Sequence, residues 1–373
     1  ILLAEDESEV AGVVAHEIAH VTQDHLARRV EASQELSWPA MLATVGLAIA
    51  ASAAGSPDAG QAVLLSGLGL TQQLQINHTR QTEAEADRIG INLLGEAGFD
   101  TEGMTRFFER MNIRSRAMGQ GPPEYLRSHP LSINRAAEAR SRAAAVANPR
   151  TRMPPSEEFH FVQSRLRVLM SARLDHTVQW FQARLDNGSR PAYAMRYGLA
   201  LALSREGRMA EAWEHLDVLL RETPDRQLTR LLQAEVLLAQ GRIDESLDVL
   251  ESLYNQFPGS RKVTSQYAQT LMHGDSVALA AQASAILRPY LRVYPNDLRM
   301  TQLYAQAADR SGDLIRAAEA VADSYYLRGG VKEAIEQLER VHDRDDLDYY
   351  QRARISARLS ELRSEQLRIA LNR

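Results

Sequence analysis

Tyr197-Gly-Leu-Ala-Leu-Ala-Leu203, followed by Gly207 and Pro224, returns as Leu231-Leu-Gln-Ala-Glu-Val-Leu237, followed by Gly241 and Pro258. The glycine, the proline and the alanine pair Ala200/Ala234 all recur at an offset of 34 residues. Each unit reads as a helix with small residues on its packed face, a turn glycine, a second helix and a closing proline. One such unit cannot bury its own apolar stripe. Units therefore stack, and stacking predicts a superhelix with a concave face. Tyr267-Ala268…Gly274…Pro295 and Tyr304-Ala305…Gly312 read as two further, less regular units. The last segment, 349–373, reads as a charged capping helix whose six arginines form a solvated face. The expected architecture of residues 157–373 is an α-solenoid.

Upstream of the repeats, Asn148-Pro-Arg-Thr-Arg-Met-Pro-Pro155 has the composition of a linker, so 148–156 separates two domains. Residues 1–147 also read as helical. Glu9, Val10, Val13, Val14, Glu17, Ile18, Val21 and Leu26 set an apolar stripe at helical spacing. A second helix is predicted from about Thr79 to Ala97, buried through Ile89, Leu93 and Leu94 and closed by Gly98. A third runs near Thr101–Ser115, and a short one spans Ile133–Val146. Between the first two lies an Ala/Gly-rich apolar hairpin, 42–70, broken at Gly55-Ser-Pro-Asp-Ala-Gly60. Neither half reaches the ~18 apolar residues of a spanning helix. It reads as a buried hairpin or lid, or as a peripheral membrane or partner contact.

The chemistry is concentrated in His16-Glu-Ile-Ala-His20. Residues four apart lie on one helix face, one turn above the other, so two imidazoles can converge on one metal ion. Glu17, rotated about a third of a turn, can reach a water at that ion without taking a ligand position, the placement a general base needs. Two histidines leave a catalytic zinc one protein ligand short. Glu83-Ala-Glu-Ala-Asp87 offers carboxylates, with Glu83 and Asp87 sharing a face. Glu83 is assigned as third ligand and Asp87 as the acceptor that holds a ligand histidine by its other ring nitrogen. A competing reading of Asp87 is a helix-surface carboxylate paired with a neighbouring arginine. Glu85 is expected to be solvated, and His25, five residues after His20, to lie off the ligand face. Two histidines and one glutamate leave a position open, which marks a catalytic site rather than a structural one.

Composition removes several alternatives. There are no cysteines, so disulfides, thiolate metal sites and a cysteine nucleophile are excluded. A net charge of −5 without a long basic run argues against nucleic acid as a partner.

Together these motifs resemble the M48 family of metallopeptidases, in which His-Glu-x-x-His is followed by Glu-x-x-x-Asp in a Glu-Ala-Glu-Ala-Asp-Arg-Ile-Gly context. Glu7-Ser-Glu-Val10, Ala15-His-Glu-Ile-Ala-His-Val-Thr-Gln-Asp-His-Leu-Ala-Arg28, Glu85-Ala-Asp-Arg-Ile-Gly-Ile91 and Ser128-His-Pro-Leu131 are similar to the branch of that family that carries tetratricopeptide repeats. The resemblance implies a mainly α protein: a helical zincin-type metalloprotease domain over 1–147, its N-terminal part missing, then a tetratricopeptide-repeat domain over 157–373. It implies one zinc ion per chain, a periplasmic location, and a chaperone-like role in outer-membrane β-barrel assembly with degradation of stalled or misfolded clients. The expected partners are the β-barrel assembly machinery and those clients. Competing readings are a non-enzymatic scaffold with a structural zinc site and a membrane-embedded M48 protease. On residues alone His129 reads as a loop histidine that Pro130 projects from an extended backbone. The resemblance implies that it takes the zinc's fourth position and keeps the enzyme latent, with Gly119 and Gly121 as hinges.

Overall fold

A computed structural model describes residues 1–28, 31, 79–117, 125, 129, 133–146, 153, 156–188 and 191–371. The apolar hairpin at 42–70, the hinge glycines Gly119 and Gly121, and most of the 148–156 linker lie outside the described residues. All regular structure among the described residues is helical, as the sequence predicts. The chain forms two compact units, Ile1–Gln163 and Ser164–Arg373.

The first unit is built on α1 (Glu7–Thr22), α2 (79–96), α3 (Gly103–Ala117) and α4 (Ile133–Val146). Asp6 starts α1 by accepting the Glu9 backbone N–H at 3.0 Å, filling one of the donors a helix start leaves open. Gly98 closes α2 in the left-handed region, and the Phe99 N–H returns to the Leu94 carbonyl. Ile91, Leu94, Met104, Phe107, Phe108, Met111, Ala139 and Ala143 form the core, each large side chain contributing about 1.5–3 kcal/mol by leaving water.

Two stripes differ from expectation. On α1 the buried positions are Glu9, Gly12, Ala15, His16 and Ala19, while Val14, Ile18 and Val21, and Leu26 beyond the helix, are exposed. On α2 the buried face runs Glu83, Ala86, Asp87, Gly90, Ile91 and Leu94, with Ile89 and Leu93 only half-buried. In both helices the inward face carries polar groups that belong together. Apolar periodicity alone misplaces such a face.

In the second unit, consecutive helices pair across short turns. These are α6 (Leu174–Asp186), α7 (Ala192–Arg205), α8 (Met209–Glu222), α9 (Gln227–Ala239), α10 (Ile243–Gln256), α11 (Arg261–Leu271), α12 (Val277–Val293), α13 (Leu298–Arg310), α14 (Leu314–Leu327), α15 (Val331–His342) and α16 (Tyr349–Leu371). Before them, α5 (Glu157–Leu169) contains the boundary between the units. Beyond packing on its sequence neighbour, α7 also touches α9, α9 touches α11, and α11 touches α13, the nearest-neighbour stacking of a solenoid. The recurring glycines sit at its turns with φ of 83° at Gly207 and 75° at Gly241, a backbone that L side chains resist. The arginines of α16 are engaged within the chain: Arg354 binds Glu319, Arg358 binds Asp323, and Arg363 binds Glu339.

Candidate metal centre

One helical turn sets the centre's first pair. His16 is fully buried, and its Nε2 stands 3.0 Å from the Nε2 of His20. The second helix passes close enough to complete them because Gly90 faces the His16 backbone. A Cβ there would lie 3.0 Å from His16 N and 2.9 Å from Met104 Cε. That approach brings Glu83 Oε2 to 3.4 Å from His16 Nε2 and Glu83 Oε1 to 3.4 Å from His20 Nε2. His129 enters with Nδ1 2.9 Å from Glu83 Oε1 and 3.3 Å from His16 Nε2. One nitrogen or oxygen from each of His16, His20, Glu83 and His129 lies within 4.8 Å of the others.

This atom set fits a divalent cation. Unprotonated ring nitrogens and a carboxylate carry lone pairs that repel at such separations unless a cation sits among them. The close spacings of 2.9–3.4 Å compare with about 3.3–3.4 Å between neighbouring ligands of a tetrahedron with bonds near 2.0–2.1 Å.

The surrounding groups hold these four. Asp87 Oδ1 is 3.0 Å from His16 Nδ1. Arg135, on α4, binds Asp87 through Nη2 at 2.8 Å and Glu83 through Nη1 at 2.8 Å, and its guanidinium lies over the Phe108 ring. Burial alone raises the Glu83 carboxyl, but contacts with His129, His16 and His20 and the charge of Arg135 hold it well below the usual carboxylate range. Asp87 is likewise held low against its burial, by Arg135 and His16.

Glu17 projects beside the cluster with its side chain half exposed. Its Oε1 is buried, without a hydrogen bond to any described residue, 3.5 Å from His129 Nε2. Tyr125, one turn before His129, stacks on the His129 ring with centroids 4.8 Å apart and receives the His129 backbone N–H at its carbonyl.

Sequence reasoning missed Arg135 and misread two neighbours. Glu85 is not simply solvated: its Oε2 meets Arg28 and His25 at 3.2 Å each. His25 is not off the site: it is buried, with Nδ1 2.9 Å from His20 Nδ1. The five-residue spacing misleads because α1 stops at Thr22. Asp24 then takes a left-handed φ of 52°, and helical backbone restarts at His25. Asp tolerates that conformation better than most residues do.

A helix bearing His-Glu-x-x-His, faced by a second helix bearing Glu-x-x-x-Asp, defines a metallopeptidase. Residues 1–143 match peptidase family M48, and the chain belongs to that family; residues 229–260 match the tetratricopeptide repeat. The sequence is 32% identical over 369 residues to the beta-barrel assembly-enhancing protease of Escherichia coli strain K12, covering 98% of this chain and 73% of that protein. Identity to the protein of the same name from Yersinia pestis is 32% over 363 residues, covering 96% of this chain and 72% of the relative. The mitochondrial metalloendopeptidase OMA1 of Schizosaccharomyces pombe is 30% identical over 133 residues, 36% of each chain.

Proposed function

We propose that this chain is a zinc metalloendopeptidase of the periplasm that serves outer-membrane β-barrel assembly and degrades clients that stall or misfold. The convergence of His16, His20 and Glu83 in an M48 frame carries the enzymatic half of this reading. Similarity along 98% of the chain to relatives named for β-barrel assembly supports the biological half. His16, His20 and Glu83 would hold one zinc ion per chain, with Asp87 orienting His16. Bound zinc supplies Lewis acidity to a scissile carbonyl and to water. Glu17 takes the proton from the attacking water and delivers it to the leaving amine. His129 would hold the same ion as a further ligand and so keep the resting enzyme latent. The division that goes with this is a protease domain over 1–147, a linker at 148–156 and a repeat domain over 157–373 that docks on assembly machinery and clients. No described helix is long and apolar enough to cross a membrane.

The test is zinc content and casein cleavage by wild type and Glu17→Gln. The variant is expected to keep its zinc and lose hydrolysis, because it removes the base and no ligand. Undiminished cleavage would remove Glu17 from the mechanism.

One observation favours a second reading. Four protein side chains around one point resemble a closed structural zinc site. His129→Ala separates the two. A latent enzyme gains basal proteolysis, self-cleavage included, and keeps its zinc on three ligands. A structural site loses metal affinity and gains no activity.

A further inference from the structure

We propose that His25 is the positioning residue of the second histidine ligand, holding His20 through a two-ring relay that ends on Glu85. The inference deepens the metal-site reading above and rests on it. His16 has a direct partner in Asp87, 3.0 Å from its Nδ1. For His20 Nδ1 the structure gives a second imidazole instead. His25 Nδ1 lies 2.9 Å away, the two rings meeting edge-on at 78° with centroids 4.8 Å apart. The far nitrogen of His25 reaches Glu85 Oε2 at 3.2 Å, and Arg28 Nη2 holds the same oxygen at 3.2 Å.

The order of protons along this chain follows from its two ends. The Glu85 carboxylate can only accept, so His25 carries its proton on Nε2 and donates it there. His25 Nδ1 is then a lone pair and accepts from His20 Nδ1–H. His20 must therefore present an unprotonated Nε2 to the cluster, the form a metal ligand requires. If the relay ran the other way, the proton would sit on His20 Nε2 and block ligation. The backbone is shaped to make this contact. The break after Thr22 and the left-handed Asp24 turn the buried His25 ring back onto His20. Glu83-Ala-Glu-Ala-Asp87 thus sends all three of its carboxylates to one centre: Glu83 as a ligand, and Asp87 and Glu85 as the anchors of the two histidines.

The experiment measures zinc affinity of the full chain at neutral pH by competition with a chromophoric chelator, together with the thermal midpoint of the zinc-free protein. His25→Phe keeps the bulk and removes the acceptor; affinity is expected to fall about 10–100-fold. His25→Asn places an amide oxygen where Nδ1 stood and is expected to recover most of that loss. Glu85→Ala should give a smaller loss than His25→Phe, and the zinc-free midpoints of all three should stay near wild type. If His25→Phe does not fold, His25→Asn and Glu85→Ala decide: near wild-type affinity in the first and a loss in the second support the relay. Unchanged affinity in His25→Phe, or equal losses in His25→Phe and His25→Asn, overturns it. His20→Ala and wild type keep the two readings apart. Wild type that takes up no zinc sinks the metal site itself. A His20→Ala loss without a His25→Phe loss sinks only the relay.

Discussion

Arg135 sets one guanidinium against two buried carboxylates, Asp87 and Glu83, at 2.8 Å each. Its removal leaves two buried carboxylates without that guanidinium, and breaking a buried pair from one side costs about 3–5 kcal/mol. Arg135→Leu is therefore expected to lower the thermal midpoint of the zinc-free protein. Arg135→Lys should rescue little, because a single ammonium lacks the fork that spans two carboxylates. A midpoint unchanged in Arg135→Leu would mean the clamp contributes nothing. The clamp also marks where sequence stops being informative. His16 and His20 were legible because helix geometry fixes what residues four apart share, and Glu83 and Asp87 followed by the same rule. Arg135 stands 48 residues from Asp87, and no local rule connects them. His25 was misjudged for a different reason: a helix break at Asp24 changes the angle that spacing assumes.

At the level of elements, one close approach positions the site and one cap supports the array. The fit of α2 on α1 depends on Gly90, where even a methyl group meets His16 backbone atoms at 3.0–3.1 Å. Gly90→Val should push Glu83 away from the histidines and weaken zinc binding, with helix content preserved in circular dichroism. Undisturbed zinc affinity would show that the helices yield without moving Glu83. In the repeats, Asp297 caps α13 through the Met300 N–H at 3.2 Å and accepts from Arg261 and from the Tyr290 hydroxyl. Arg261 is the largest cause that brings its carboxyl from the ordinary 3.8 down to about 2, assisted by Met300 and Tyr290 and opposed by burial. A folded value below the unfolded one means stability that is present above about pH 4 and disappears as pH falls through about 2. Asn caps a helix as well as Asp does but does not titrate. Between those pH values the thermal midpoint of Asp297→Asn should therefore fall less steeply than that of wild type. Parallel curves would remove Asp297 from the acid response. Helix positions were readable because glycines and prolines punctuate them. The inward faces of α1 and α2 were not, because buried His16, Glu83 and Asp87 occupy places that a hydrophobic pattern assigns to apolar residues.

For the whole molecule, the 34-residue period made the solenoid visible in advance, and the helix pairs from α7 onward carry it to the end of the described chain. The observed boundary between units falls within α5, so a division that begins at residue 157 keeps that helix whole with the repeats. Expressed alone, 157–373 is expected to be helical and to unfold cooperatively, read by circular dichroism against urea. A fragment without helix would show that the division is wrong. The turn glycines give the array a further property, one of handedness. At Gly207, Gly241 and Gly312 the backbone has the mirror image of ordinary helical φ, and a side chain placed there would meet nothing within 4 Å. An L-alanine would suffer from the backbone alone, by about 1–2 kcal/mol. A D-alanine is at home in that conformation and also narrows the unfolded ensemble, a gain of about 0.4–1 kcal/mol per site. Semisynthetic repeats carrying D-alanine at these turns should melt higher than the natural chain, and their L-alanine counterparts lower. The protein thus has positions at which its preferred residue belongs to the opposite chirality, and glycine is as near as a ribosome can come to it.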